Sequence, residues 1–581
     1  MVDHLSSSKI DMVLRRLEEI ERRVRAVEAV FVASPMPVAG SGPSLEQVRR
    51  PSRVRARHDF SPLVVASLTG RTSFVLGGGY LLRALTDFGI IPLPLGVVLG
   101  LAYAMVWFIM ADRAGASRKT VSATFHGFAA AVLAFPLLFE VLVKFKLLDA
   151  WNVATGLTFV AAVGIAVAWR RWLQGVVWIV SVASIVTVLA LLRAGADIAP
   201  FALHLVLLAA MTYWVAYARD WGHVHWPSAV VADGVVVWLA MHTLPPQNPV
   251  QLILAIAVAM TLFVASVGSF TARILLLGQN VMGFELVQSA GALLVGYGGA
   301  VYMARASNLS AIPYGAIGLL LGACAYTVAF MRLATLAPQR NFHYFSTMAI
   351  ALVIVGGTVA FHPPFAAVLW IVLALAGISL DRRFSYTTLS GHGAAYLSAA
   401  AVASGLLAAA GAGLLGPATV PWRELTPVAL IALTAAAVCS AIAPSGARTF
   451  KGTKVVMAIA PHRAYVGIPR AIALAILVLG LSGIAVVWIV PVVGGPPGAH
   501  GDWGVVATIR TITLAVAVVL VGVLARSDRI REASWLIYPL LIAAGLKILL
   551  EDFRQSEPAT LFVALIAYGC ALIVGPRLAS K

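Results

Sequence analysis

The chain has 581 residues, of which 60% are hydrophobic and only 11% are charged, and its mean hydropathy is +0.92. A soluble domain carries about 25% charged and about 45–50% apolar residues, so this composition excludes a water-soluble globular enzyme. It predicts an all-α, polytopic membrane protein, because helices satisfy every backbone hydrogen bond within lipid. The net charge of +18 is then explained by basic cytoplasmic loops.

The first 33 residues predict a cytoplasmic coiled-coil helix. Seven apolar residues from Ile10 to Phe31 are spaced alternately by three and four, as are the core positions of a coiled coil. Arginines at the g positions and glutamates at the following e positions favour a parallel arrangement. We therefore expect a homo-oligomer formed through residues 10–31. The alternative is an amphipathic helix that packs on the protein's own surface or on lipid.

Residues 34–60 predict a flexible basic linker. Proline, glycine and serine dominate its first half, and five arginines follow between Arg49 and Arg57. A basic cluster just before a membrane span is typical of a contact with anionic lipid. A nucleic-acid partner is not expected, because no aromatic residue interleaves with these arginines.

Residues 61–581 predict a transmembrane domain of about 18 spans. Eighteen apolar segments lie between residues 72 and 576, each near the roughly 20 residues that cross a bilayer. Residues 61–70 are expected to form an interfacial lead-in, and 390–412 is expected to be one span. When the N-terminus is placed inside, most basic loop residues also fall inside, as the positive-inside rule requires. This predicts a bacterial cytoplasmic membrane protein with both termini in the cytoplasm.

Two stretches near the ends of this domain carry a resemblance. They read TGRTSFVLGGGYLLRALTDFGIIP at 69–92 and REASWLIYPLLIAAGLKILLEDF at 531–553, and a final apolar segment follows the second. With the N-terminal coiled coil, they resemble the bacterial predicted membrane proteins of domain-of-unknown-function family 2339. The residues that match the family pattern are Gly70, Arg71, Arg83, Lys547 and Asp552. The resemblance implies the architecture, and no activity comes with it.

Charged residues within the spans are the candidate binding residues, because each is costly to insert into lipid. Arg83 and Asp87 are four residues apart near the outer end of the first span, where they can pair on one helix face. Lys547 and Glu551 have the same spacing in the seventeenth span, with Asp552 beside them. The two groups lie at the same expected depth, so we expect them to meet in one outward-facing polar pocket. The alternative for Arg83 and Asp87 is a structural ion pair at the interface.

Three further charges lie within spans. Asp233 has no basic residue at helical spacing, and Glu285 lies near the inner end of the ninth span with Gln288. An isolated acid in a membrane is protonated, paired with a cation or part of a proton path. Arg510 is the expected partner for either acid. The alternative is that the Arg510 side chain extends to the outer surface.

Three common catalytic and cofactor motifs are missing from the sequence. It contains no phosphate-binding Gly-x-x-x-x-Gly-Lys-Ser/Thr loop, no His-Glu-x-x-His and no Gly-x-Ser-x-Gly. We therefore predict no catalytic residues, no metal and no cofactor, and an enzyme is the less favoured reading. Transport or handling of a small solute, ion or lipid is the leading interpretation. A cell-envelope scaffold oligomerised through the coiled coil and a membrane-embedded transferase acting on a lipid-linked substrate remain as alternatives.

Overall fold

The computed structural model describes most of the chain beyond its N-terminal arm. The described ranges are 62–244, 248–334, 339–384, 386–415, 425–444, 461–493, 503–527 and 530–579. The expected coiled coil at 1–33 and linker at 34–60 lie outside them. Contacts divide the chain into two units, Met1–Arg71 and Thr72–Lys581.

Apolar runs separated by short turns give a chain of helices, and the described residues include no strand. In chain order the helices are α1 (Pro62–Asp87), α2 (Leu93–Ala116), α3 (Thr120–Val143), α4 (Ala150–Arg171), α5 (Gln174–Arg193), α6 (Ile198–Arg219), α7 (Trp226–His242), α8 (Pro249–Leu277), α9 (Gly283–Ala306), α10 (Ile312–Leu333), α11 (Gln339–Ala360), α12 (Pro363–Phe384), α13 (Thr387–Ala403), α14 (Leu406–Leu415), α15 (Pro427–Ile442), α16 (Pro461–Val493), α17 (Trp503–Ala525), α18 (Arg531–Asp552) and α19 (Pro558–Ala579).

The helices confirm the all-helical, multi-span architecture. Fourteen helices within the described ranges are long and apolar enough to cross a membrane, and a bent pair raises this number to 15. The shorter helices α7 and α15 are also apolar. Each of the eighteen predicted segments falls on a helix or on the bent pair, whereas eighteen as the number of spans stays a prediction. The expected lead-in at 61–70 is continuous with the first span, because α1 begins at Pro62.

The expected single span at 390–412 is instead two helices. Helices α13 and α14 meet at an angle of 66°. Between them, Gly405 adopts a φ of +81°, a left-handed conformation that ends helices and that glycine adopts at little cost. This segment is a broken span or a re-entrant turn. Its hydropathy gives no sign of the break, because alanine and leucine continue on both sides.

The apolar core follows the chain order of the helices. One large cluster of buried side chains comes from α2–α9, a second from α11–α16 and a third from α16–α19. Helix α16 contributes Ile476 to the second and Leu474 to the third, so it joins these two groups. Small residues allow helix backbones to approach closely. At Gly315 an added Cβ would lie 2.4 Å from the backbone nitrogen of Ala360.

Candidate functional site

Glycines bring α1, α2 and α3 together at one end of the bundle. A Cβ at Gly96 would crowd the Thr86 side chain, so α2 and α1 approach closely at this position. A Cβ at Gly79 would lie 2.7 Å from the Leu133 side chain on α3. These close approaches hold the three helices around a space that their larger side chains leave unfilled.

That space is a cavity of about 260 Å³, which we call the α1–α3 cavity. It has a charged and a hydroxyl-bearing part beside an apolar wall. The polar lining residues are Tyr80, Arg83, Thr86, Asp87, Tyr103 and Glu140, and the apolar wall includes Leu82, Leu93, Val97, Val132, Leu133, Pro136, Leu137 and Phe145. A space of this composition matches a molecule that has a polar head and a hydrocarbon part.

Arg83 holds two acids at the polar part of the cavity. Its Nη1 donates to Glu140 Oε1 at 2.7 Å, and its Nε lies 3.7 Å from Asp87 Oδ2. The side chains of Arg83 and Asp87 are 37% and 51% exposed, whereas that of Glu140 is 24% exposed. The three groups carry a formal charge of −1 in their ionised forms. Asp87 therefore offers an accessible carboxylate, while Arg83 is held in place by Glu140.

A proline in α3 removes the helical hydrogen-bond donor of one backbone carbonyl. Pro136 lies inside α3 and lines the cavity together with Val132, four residues earlier. Proline has no N–H to donate to the carbonyl four residues before it in a helix. The Val132 carbonyl thus loses its ordinary helical donor at a position beside the cavity.

Sequence reasoning found the Arg83–Asp87 pair and missed Glu140, which is the closer partner. The order and direction of the predicted spans could have identified Glu140 as a partner. Glu140 ends the third predicted segment, and the first and third segments run in the same direction. Residues at their outer ends therefore lie at the same depth, so Glu140 was an available partner for Arg83.

A second polar site joins α17 to α18. We call Arg510, Thr511, Lys547, Glu551 and Asp552 the C-terminal charge cluster. Lys547 Nζ lies 2.5 Å from Asp552 Oδ1, and Arg510 Nη1 lies 2.7 Å from Glu551 Oε1. The Thr511 hydroxyl donates to Asp552 Oδ2 at 2.6 Å. Two cations and two carboxylates thus balance one another among buried side chains.

A local change of helix type selects the partner of Lys547. Residues Ile548–Asp552 form a π-helical turn, in which hydrogen bonds join residues five apart. This turn brings Lys547 against Asp552, whereas the distance from Lys547 Nζ to Glu551 Oε2 is 3.7 Å. The expected Lys547–Glu551 pair is present, but it is the longer of the two contacts.

The two charge groups do not form the expected shared pocket. Arg83 and Asp87 lie with Glu140 on the wall of the α1–α3 cavity, and all the residues that line this cavity come from residues 79–145. Lys547 and Asp552 instead contact α17. Equal depth in a membrane fixes one coordinate only, so it did not determine which helices are neighbours.

Each of the isolated acids has a partner that differs from Arg510, so the expected pairing with Arg510 is wrong. Asp233 accepts from the Gln288 amide at 3.0 and 2.9 Å. Glu285 accepts from Arg273 Nη1 at 2.8 Å through both carboxylate oxygens. Arg510 is buried and donates to Glu551, so it does not extend to the surface.

Arg273 was not among the predicted site residues, because it was assigned to an inside loop. Helix α8 continues to Leu277, beyond the predicted end of that span at residue 270. The turn that follows returns the chain, so that Glu285 faces Arg273 and also accepts from the Met282 backbone N–H at 2.7 Å. The Asn341 side chain fixes the same turn through the Val281 N–H and the Gln279 carbonyl.

A buried histidine lies near this ion pair, in the turn between α6 and α7. The His225 ring centroid is 4.4 Å from that of Phe284. Burial lowers the pKa of His225 from 6.5 to about 4, and the charges of His223 and Arg273 lower it further in the same direction. His225 is therefore neutral at neutral pH.

Neither metal coordination nor similarity to a known protein assigns a chemistry to these sites. Among the described residues, no group of three or more His, Cys, Asp or Glu side chains is arranged to hold a metal ion. Comparisons of the chain with protein families, curated proteins and solved structures find no match.

Proposed function

We propose that this multi-span membrane protein binds a lipid-like amphiphile in the α1–α3 cavity and transfers it across or within the membrane. The observation that supports this is the pairing of an apolar wall with Arg83, Asp87 and Glu140 in one cavity. Apolar walls with a few placed polar groups are typical of small-molecule sites. In an amphiphile site, the wall holds hydrocarbon while the charges bind the head.

The surroundings of α1 favour entry from the lipid. Phe74, Leu81 and Phe88 on and just after α1 are 61–81% exposed. Exposed side chains of this size on a membrane helix face hydrocarbon, so α1 separates the cavity from the bilayer. Outward movement of α1 would admit a lipid tail without exposing it to water.

The charges favour a headgroup that carries both signs. A purely anionic headgroup would meet the net charge of −1 formed by Arg83, Asp87 and Glu140. A zwitterionic headgroup fits, because its phosphate can accept from the guanidinium of Arg83 and its ammonium can donate to Asp87. We therefore propose an amine-bearing zwitterionic phospholipid as the substrate class.

The test is retention of lipid by the purified full chain. The protein is reconstituted in mixed phosphatidylethanolamine and phosphatidylglycerol, and native mass spectrometry counts the lipids that stay bound. Asp87→Asn is expected to weaken retention of phosphatidylethanolamine by about tenfold, equivalent to about 1.4 kcal/mol. The control Asp197→Asn removes a carboxylate that caps no backbone N–H at the start of α6, and should leave retention unchanged. Equal retention of both lipids by the wild type would contradict the proposal.

A second variant pair tests the apolar wall. Val132→Phe fills part of the cavity and is expected to displace the lipid tail, whereas Val186→Phe adds the same volume at a side chain that is 60% exposed. Loss of lipid in both variants or in neither would show that binding occurs elsewhere.

A transferase is the second candidate, because Asp87 presents an accessible carboxylate to the same cavity. A carboxylate within hydrogen-bond reach of a bound hydroxyl is placed to act as a general base. The test is to compare lipids extracted from membranes that express the wild type or Asp87→Asn. A chemically altered lipid that only the wild type produces supports the transferase. Identical lipids in both favour transfer without chemistry.

Four expectations from the sequence remain part of this proposal. We propose a location in the bacterial cytoplasmic membrane with both termini cytoplasmic, membership of domain-of-unknown-function family 2339, contact of Arg49–Arg57 with anionic lipid, and oligomerisation through residues 10–31. Deletion of residues 1–33 separates transport from a scaffold. A transporter retains its lipid binding after the deletion, whereas a scaffold loses its assembly and its function together.

A further inference from the structure

Three turns between helices meet at one end of the bundle. We call them, with the helix ends that flank them, the basic end, which comprises residues 112–119, 170–173 and 219–225. Arg171 of the second turn donates to Asp112 of the first through two contacts of 2.7 Å. Arg219 of the third turn lies over the ring of Trp172 in the second. The basic end lies at the start of α3, whereas Glu140 of the α1–α3 cavity lies near the end of that helix.

The basic end carries positive charge that the chain does not neutralise. Its three segments contain six arginines and lysines against two aspartates, which leaves a formal charge of +4. One aspartate, Asp112, is already bound by Arg171 through both of its oxygens. The other, Asp220, is exposed. A surface of this charge attracts anions from outside the chain.

Arg219 is a cation of this surface whose position is fixed and whose donors are unfilled. Its Cζ lies 4.0 Å from the ring centroid of Trp172 and 5.9 Å from that of Trp169. Its Nε is buried without a hydrogen-bond partner, and its other nitrogens find no acceptor in the described part of the chain. A guanidinium stacked on an aromatic face keeps its edge available for a two-point contact with a phosphate.

Trp172, which supports Arg219, has an unusual backbone conformation. Its φ of 61° and ψ of 39° lie in the left-handed region, which bulky side chains rarely adopt. Backbone conformations of this kind occur preferentially at ligand sites, where the surrounding structure maintains them. The side chains of Trp169 and Trp172 are 50% and 62% exposed. Tryptophans at the ends of membrane helices lie at the depth of the lipid headgroups, so these rings place Arg219 at that depth.

We propose that the basic end binds the phosphate of an anionic phospholipid, with the guanidinium of Arg219 as its principal contact. Charge complementarity selects this occupant, because a zwitterionic lipid brings an ammonium that the formal charge of +4 repels. The bilayer supplies phosphates at the depth where Trp169 and Trp172 lie. This site is separate from the α1–α3 cavity, whose three charges sum to −1, so it does not depend on the function proposed for that cavity.

The first experiment compares lipids by their effect on the melting temperature of the purified full chain in maltoside micelles. Phosphatidylglycerol should raise the melting temperature in a saturable way and more than phosphatidylcholine does. In Arg219→Gln, the concentration of phosphatidylglycerol needed for half of this effect should increase about tenfold. The matched control is Arg193→Gln, which removes an exposed arginine at the opposite end of α5 and should leave the response unchanged.

Three results of this experiment would overturn the proposal. One is an equal effect of the two lipids on the wild type. Another is an equal response of Arg219→Gln and Arg193→Gln to phosphatidylglycerol. The third is a shift by sodium phosphate as large as that by phosphatidylglycerol at the same ionic strength, since this would identify a soluble phosphate as the ligand in place of a lipid.

The second experiment locates the lipid on the wild-type chain and decides alone if Arg219→Gln does not fold. Phosphatidylglycerol with a photoreactive diazirine in its headgroup is irradiated with the protein in nanodiscs, and mass spectrometry identifies the labelled peptides. We expect label at 169–172 or 214–221 that excess unlabelled phosphatidylglycerol removes and that phosphatidylcholine does not. Label that is absent from both segments, or that both lipids remove equally, would contradict the site.

Discussion

The buried ion pair between Arg273 and Glu285 gives the most direct test of how charges are stabilised in this protein. We predict that Glu285→Gln lowers the free energy of unfolding by about 3–5 kcal/mol, the usual cost of removing one partner from a buried ion pair. The magnitude follows from the burial of both side chains, which are 2% and 1% exposed. Arg273 then keeps only neutral acceptors, namely the Gln279 side chain, the Asn280 carbonyl and the amide oxygen that the substitution leaves at position 285.

The assay is a double-mutant cycle on the full chain in lipid nanodiscs. Unfolding is measured for the wild type, Glu285→Gln, Arg273→Met and the double variant. The double variant should be more stable than the sum of the single losses predicts, because neither charge is then left buried alone. Glu557→Gln removes an exposed carboxylate and serves as the control, with an expected change below about 0.5 kcal/mol.

Two results would refute this reasoning. A loss below about 1 kcal/mol for Glu285→Gln would mean that water or lipid headgroups already solvate the pair. Additive losses in the cycle would mean that the two side chains do not interact energetically, whatever their distance.

Three further predictions concern other parts of the chain. The pKa of the His225 imidazole is about 4 in the folded protein and 6.5 when the ring is exposed. The free energy of unfolding therefore keeps its full value above pH 6.5 and falls by about 3 kcal/mol as the pH drops to 4. In unfolding measurements, His225→Phe should reduce this loss of stability at acidic pH. Gly315→Ala should lower the free energy of unfolding by about 1–3 kcal/mol, because the new Cβ meets the α11 backbone. The control Gly268→Ala places its Cβ where nothing lies within 4 Å, so it should stabilise α8 by about 0.5–1 kcal/mol. Asp112→Asn weakens the two 2.7 Å contacts with Arg171 and should lower the melting temperature less than Glu285→Gln does, since the pair is partly exposed.

The sequence predicted the helices well because lipid imposes a simple requirement. A span needs an uninterrupted apolar run, and the predicted segments all fall on helices. The break at Gly405 did not follow, because glycine is frequent in such runs and only its backbone conformation distinguishes it. Arg273 was assigned to a loop for a related reason. A charged residue ends an apolar segment when the sequence is read for hydropathy. In the structure, Arg273 lies inside helix α8 because Glu285 is buried beside it and balances its charge.

The candidate sites were predictable only in part. Arg83, Asp87, Lys547 and Asp552 were identified because charges in apolar segments are conspicuous. Their partners depend on which helices are neighbours, and helical periodicity within one segment carries no such information. Glu140, which lies 57 positions from Arg83, is the clearest example.

The π-turn in α18 also affects how the residues after it are oriented. A π-turn accommodates one residue more than the same stretch of α-helix, so it is equivalent to an insertion at 548–552. If residues 548–552 formed regular α-helix with no residue deleted, Asp552 and every later residue would rotate by about 100° relative to Lys547. Asp552 would leave the face of α18 that Lys547 occupies, while the composition and hydropathy of the span would hardly change. The C-terminal charge cluster thus depends on the π-turn, and neither the composition nor the hydropathy of the span reveals this dependence.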